Sequence, residues 1–152
     1  MTQLSKHFSL AEFTRSKLAE TMGIPNKPAG RQVDNLAALC YHVLEPLRAH
    51  FGKPVTINSG FRSIALNEAV GGSATSQHLS GEAADIEIKG VANADIWQWI
   101  VDNVPFDQII AESLSKTDGS AGWIHVSYSI KHNRKEALSQ VKGKYVLGLV
   151  LS

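Results

Sequence analysis

The chain has a single cysteine, Cys40, in 152 residues, so no disulfide can form within it, in keeping with manufacture in a reducing compartment. Cys40 sits among Leu36, Leu39, Val43 and Leu44, the setting of a small buried hydrophobe rather than a reactive thiol. Charge of one sign is lacking too. Fifteen basic and fourteen acidic side chains leave a formal net charge of +1, so no overall field recommends nucleic acid or an anionic membrane as partner. No apolar run approaches the roughly 18 residues of a membrane span, and Met1 to Phe8 has neither the apolar stretch nor the cleavage site of a secretory leader. Repeats and low-complexity segments are absent, and the short basic run His132 to Lys135 reads as a solvated loop.

What remains is ordinary in bulk: 43% hydrophobic and 19% charged residues, a composition and length that suit one globular domain over residues 1–152. Ser9 followed by Glu12 has capping-box spacing and opens a helix over Leu10 to Glu20, closed by Gly23 and Pro25. Between Arg31 and Phe51, Val33, Leu36, Leu39, Cys40, Val43, Leu44 and Leu47 recur at helical spacing and mark the main core helix, with a kink or break expected at Pro46. Val55 to Asn58 reads as a strand, Ser63 to Ala69 as a short helix, and Val70 to Thr75 as a glycine-rich loop. Ala83 to Ile88 alternates, with Asp85 and Glu87 opposite Ala84, Ile86 and Ile88. Asn93 to Asn103 is an amphipathic helix stopped before Pro105. Phe106 to Glu112 and Trp123 to Tyr128 read as strands joined by a polar run, and Tyr145 to Leu151 as a possible last strand. Helices first, then strands mixed with helices, indicate an α+β fold.

Three residue types suited to a divalent metal fall on or beside these strands: His78 just before one, Asp85 within it, and His125 in a later one. Two imidazoles and a carboxylate suit Zn²⁺ and leave a fourth position open, as catalysis requires. Ile86 and Ile88 oppose Asp85, and Ile124 and Val126 oppose His125, so neighbouring strands would project both ligands from one polar face. Arg62 offers a permanently charged fork for a carboxylate or a developing oxyanion. Gly81 supplies a turn between ligands that a Cβ would obstruct. Ser76 offers a hydroxyl either to substrate or to a turn, and Ser59 with the glycine-rich loop is positioned to line a cleft. Trp97 and Trp99, two apart on a helix, cannot both pack inward. His42 and His50 read as surface or packing residues, and Tyr128 as a packing partner of Ile124 and Val126.

The run Ser76-Gln77-His78-Leu79-Ser80-Gly81-Glu82-Ala83-Ala84-Asp85-Ile86 closely resembles the signature of the M15 zinc peptidases, the D-alanyl-D-alanine carboxypeptidase and dipeptidase group that includes phage endolysins. Ser59-Gly60-Phe61-Arg62-Ser63 upstream and Trp123-Ile124-His125-Val126-Ser127 downstream resemble its other blocks, in its order. His7-Phe8-Ser9-Leu10-Ala11-Glu12-Phe13 resembles the start of the small phage endolysin-type branch. The resemblance implies Zn²⁺ on His78, Asp85 and His125, Arg62 near the substrate, and a small antiparallel sheet packed against helices, as in hedgehog and D-Ala-D-Ala peptidase folds. Many members place an acid three residues before the last histidine, where this chain has Gly122. The phage-type branch instead resembles Phe106 to Glu112, with its acid at the strand end. Phe106, Gln108, Ile110 and Glu112 share a face by period two, which makes Glu112 the expected general base, with Asp118 and Glu82 in reserve.

The implied activity is hydrolysis of the peptidoglycan stem peptide, by a carboxypeptidase or an endopeptidase; a dipeptidase acting on free D-alanyl-D-alanine is a further version. A zinc-stabilised, non-catalytic binding module of the same fold is the alternative from another class. The expected partner is a wall peptide, with no nucleic acid and no membrane span, a monomer in preference to an oligomer. Production in the cytoplasm, followed by release to the wall or carriage on a phage particle, fits the missing leader.

Overall fold

The computed structural model describes residues 2–114 and 121–151. Glu12 Oε2 accepts the Ser9 backbone N–H at 2.7 Å, as the capping-box spacing predicts. The helix expected over Leu10 to Glu20 is instead two: α1, Leu10–Thr14, and α2, Lys17–Met22. The division has local causes. Arg15 is extended, Ser16 caps α2 by accepting from Ala19 N, and the Asn26 side-chain amide donates to the Thr14 carbonyl that α1 leaves free. Gly23, at φ +67°, ends α2.

The long core helix runs as α3, Gly30–Leu39, a π-helical turn at Cys40–Leu44, and α4, Glu45–Phe51. The disturbance expected at Pro46 thus appears as a widened turn just before it. Proline brings no N–H for the carbonyl four residues back and its ring crowds that carbonyl; extra backbone in the preceding turn relieves both. Cys40 is fully buried there, and burial pushes its thiol pKa well above the ordinary value.

Two further helices, α5, Ile64–Ala69, and α6, Asn93–Asn103, punctuate six strands: β1, Thr56–Ser59; β2, Ala83–Glu87; β3, Gln108–Glu112; β4, Trp123–Ser127; β5, Glu136–Val141; and β6, Lys144–Leu147. They form one sheet in the order β1-β2-β4-β3-β5-β6. The fold is α+β, as expected, and the sheet is antiparallel except where β5 runs parallel to β3. β5 is the element that hydrophobic patterning missed. Its side chains facing the helices include the small Ala137 and the polar Ser139, and Ser139 is buried only because its hydroxyl donates to the Gly148 carbonyl and accepts from Val150 N.

One face of the sheet is covered. Ile86, Ile109, Ile124 and Val126 pack with Phe8, Phe13, Leu36, Leu39, Leu44 and Leu47 in a continuous core, joined by Ile96, Trp97 and Ile100 of α6. Trp97 is buried and donates its indole N–H to the Leu138 carbonyl at 3.1 Å. Trp99 remains half-buried and stacks on His50, so the tryptophans divide as the helical spacing requires. Phe106 lies ahead of β3 and belongs to this core, so the shared face holds for Gln108, Ile110 and Glu112 but not for it. Tyr128 packs against the core that holds Ile124 and Val126, as expected, and also stacks on His42, ring centroids 4.5 Å apart.

The other face carries a register that matters for chemistry. Asp85 pairs with His125, His125 with Ile110, Ile110 with Leu138, and Leu138 with Leu147. Directly paired residues point the same way, so this row crosses five strands on the face away from the core. No helix among the described residues is long and apolar enough to cross a membrane.

Candidate metal centre and cleft

Two of the three expected ligands come from paired strands, and the third from the turn that enters β2. That turn, Ser76 to Glu82, is held from three sides. Arg62 N donates to the His78 carbonyl at 3.0 Å, Ser76 Oγ accepts from His78 N at 3.2 Å, and Gln32 and Asn35 of α3 donate to the carbonyls of Leu79 and Ser80. Gly81 has φ +75°, and a Cβ there would run into the Gln32 carbonyl. Its glycine is therefore required both by conformation and by the close approach of α3.

His78 is buried, and its Nδ1 lies 2.7 Å from the Gly60 carbonyl. A carbonyl only accepts, so Nδ1 carries the proton and Nε2 presents its lone pair to the cleft. Asp85 Oδ1 stands between the two imidazoles, 3.4 Å from His78 Nε2 and 3.1 Å from His125 Nδ1. Donors about 2.0–2.2 Å from a tetrahedral ion lie about 3.3–3.6 Å from one another, so the observed separations match ligands of one ion to within a few tenths of an ångström. Among the described residues this group, with ligand atoms within 4.8 Å of each other, is the one suited to a metal. Burial raises the Asp85 carboxyl pKa, but the neighbouring imidazoles of His125 and His78 outweigh it and hold the group well below the usual range, an anion ready to ligate.

Arg62 closes one side. Its Nη2 is 3.9 Å from Asp85 Oδ2, Nη1 donates to Asn67 Oδ1 at 3.0 Å, and Nε donates to Ser59 Oγ at 3.3 Å. Ser59 lies behind Arg62 and lines a neighbouring groove rather than the metal cleft. Ser76 does face the cleft while bonding to His78 N. The cleft encloses about 680 Å³ over the exposed face of the sheet, bounded by Arg62 and the 71–76 loop on one side and by Trp123, Arg134 and Tyr145 on the other.

Glu112 enters this cleft from β3, opposite Trp123 and diagonal to His125. Burial raises its carboxyl pKa above the ordinary value; the His125 ring opposes that shift and Asp85 adds to it. Of the reserve acids, Glu82 accepts the Ser80 hydroxyl and does not line the cleft, and Asp118 lies outside the described residues.

The missing acid at position 122 has a steric explanation. Gly122 has φ +82°, and a Cβ would collide with the Glu112 carbonyl oxygen, with Ser113 O also close by. The backbone that brings Glu112 beside Trp123 leaves no room for a side chain there. Gly122→Ala is expected to lower stability by about 2–4 kcal/mol, left-handed strain plus a backbone clash, read as an earlier denaturation midpoint with unchanged slope.

Sequence reading also missed Asp107 and Arg134. Asp107 is buried, and its carboxylate accepts from Gln77 Nε2 at 2.9 Å, Arg134 N at 2.9 Å, Arg134 Nε at 3.0 Å and Arg134 Nη2 at 2.8 Å. Burial raises its pKa, but these bonds prevail and hold it below the usual range. The run His132 to Lys135 is therefore more than a solvated loop. The signal was a lone acid between Phe106 and Gln108, which alternation treats as noise.

Two imidazoles and a carboxylate around one point, with an open side facing a cleft and a carboxylate across it, form a site placed to hold a divalent metal such as Zn²⁺. Comparison with known families is consistent: the family model described as Peptidase M15 matches residues 6–127. The chain belongs to this family; its His78, Asp85 and His125 are placed to hold a metal ion, and the family and its zinc relative point to Zn²⁺ as that ion. It is 48% identical over 44 residues to a zinc D-Ala-D-Ala carboxypeptidase of Streptomyces albus G. That stretch covers 28% of this chain and 17% of the relative, so the chain spans only a small part of that protein's length. β5 and β6 lie beyond the residues the family model matches.

Proposed function

We propose that the protein hydrolyses peptide bonds of the peptidoglycan stem peptide, as a carboxypeptidase or an L,D-endopeptidase. The observation that carries this reading is the placement of the ligand triad in a cleft of about 680 Å³ that continues past it across β3 and β5. Such a cleft has room for several residues of an extended peptide, which disfavours the dipeptidase version. When bound, Zn²⁺ supplies a Lewis acid that polarises the scissile carbonyl and eases ionisation of water toward about pH 7.

The chain's own residues do the rest. The Glu112 carboxylate takes a proton from the attacking water as its oxygen bonds to the carbonyl carbon, then gives that proton to the leaving amine nitrogen as the C–N bond breaks. Its raised pKa suits a group that must both accept and return a proton. Arg62, held by Asn67 and Ser59, meets the charge that gathers on the carbonyl oxygen or a carboxylate of the substrate. Ser76 presents its hydroxyl to the peptide backbone. Action at the wall would follow release from the cytoplasm or carriage on a phage particle.

Mass spectrometry of fragments freed from purified peptidoglycan by the zinc-loaded protein, beside a chelated control, tests the reading. New peptide termini that appear only with metal are the expected result and identify the bond. No release from several wall types by protein with stoichiometric zinc would replace it with a zinc-stabilised binding module.

A further inference from the structure

We propose that Arg134 forms a specificity subsite for a free carboxylate on the substrate peptide, away from the scissile bond; this rests on the peptidase reading above. The part of the chain beyond the family match contributes Arg134, Glu136, Leu138 and Tyr145 to the cleft. Arg134 is fixed with unusual care for a half-exposed side chain. Its backbone N–H, Nε and Nη2 all bond to Asp107, and Asp107 in turn takes a hydrogen bond from Gln77, the neighbour of ligand His78. Lys135, at φ +55°, adopts the left-handed conformation that a lysine rarely takes. That conformation lies between Arg134 on Asp107 and the start of β5 at Glu136, whose N–H bonds to the Asp107 carbonyl.

The guanidinium carries five N–H donors. Asp107 engages Nε and one N–H of Nη2, while Nη1 is 3.9 Å from Glu136 Oε1, too far for a hydrogen bond, and makes none among the described residues. Glu136 is itself occupied, accepting from Gln108 Nε2 at 2.6 Å. This end of the cleft thus offers a guanidinium edge whose Nη1 is ion-paired with Glu136 at 3.9 Å but hydrogen-bonded to nothing among the described residues. Charged donors in a fixed plane are the geometry that receives a carboxylate. Arg134 stands just ahead of β5, whose first residue Glu136 pairs with Gln108, two residues along β3 from the Ile110 that pairs with His125. This end is therefore removed from the metal centre both across two strands and along them, and the carboxylate it receives belongs to a substrate residue away from the scissile bond.

The test uses stem peptides that differ only in whether one internal carboxylate is free or a primary amide. The wild-type zinc enzyme should favour the free acid at least tenfold in kcat/KM, chiefly through KM. Arg134→Gln should bring the acid down to the amide's value, and Arg134→Lys should restore part of the difference. Equal turnover of the two peptides by wild type, or an equal loss on both in Arg134→Gln, would overturn the subsite and leave only a structural ion pair; if that variant fails to fold, the wild-type comparison decides. Calorimetric titration of both peptides into zinc-loaded Glu112→Gln separates this proposal from the peptidase reading. Tighter binding of the acid without cleavage by wild type would sustain the subsite and remove the reaction, and equal or absent binding would remove the subsite.

Discussion

Replacing His125 by alanine is expected to remove zinc and hydrolysis together, with metal affinity falling by at least about 100-fold, since even loss of an outer-shell partner costs about 10–100-fold. His125 is one of the three residues placed to hold the ion, and its Nδ1 is the donor nearest to Asp85 Oδ1, at 3.1 Å. Its loss leaves one imidazole and one carboxylate, too few to hold the ion against water. The fold should survive, because Ile124 and Val126 on the opposite side of β4 keep their places in the core. Metal content after dialysis, peptide release and a denaturation curve are the three readings. Full activity after confirmed loss of metal would end the zinc mechanism.

Glu112→Gln is expected to keep zinc at full stoichiometry and lower kcat by about 10²–10⁴-fold, the usual contribution of a positioned acid–base group. The amide preserves size and hydrogen-bonding capacity but cannot take the proton from water. In wild type the carboxylate must be ionised to act, and burial has raised its pKa. Activity should therefore rise with pH through a limb above the ordinary glutamate value of about 4.3, and fall as pH drops through it. The same shift has the opposite sense for stability: a folded-state pKa above the unfolded one means the folded form binds that proton more tightly, so the contribution of this group is fully present below about 4.3 and is lost as pH rises through the raised value. Normal turnover by the Gln variant would remove Glu112 as base.

The residues that were legible in the sequence are those whose role has a local signature. Asn93–Asn103 is helical to the residue because its apolar stripe and the following Pro105 are both short-range signals. The single helix expected from Leu10 to Glu20 divides because Asn26, distant in sequence, supplies the donor that lets α1 stop at Thr14. β5 escaped notice because its buried Ser139 is satisfied by Gly148 and Val150, partners that only the chain's return brings close. Arg134 looked solvated because its partner Asp107 is 27 residues away.

By itself the sequence determined the chemistry available and its facing: two imidazoles and a carboxylate, with Asp85 and His125 opposite apolar neighbours, because strand alternation is a property of two adjacent residues. Only the tertiary structure decided that β2 and β4 pair with Asp85 directly across from His125, residues 40 apart in the chain. It decided, too, that the Gly60 carbonyl turns His78 Nε2 toward them, that the Glu112 backbone excludes a side chain at Gly122, and that Arg134 ends in the cleft. Each of these depends on strand register and close backbone approach, which arise from packing the whole chain and leave no mark in any short stretch of it.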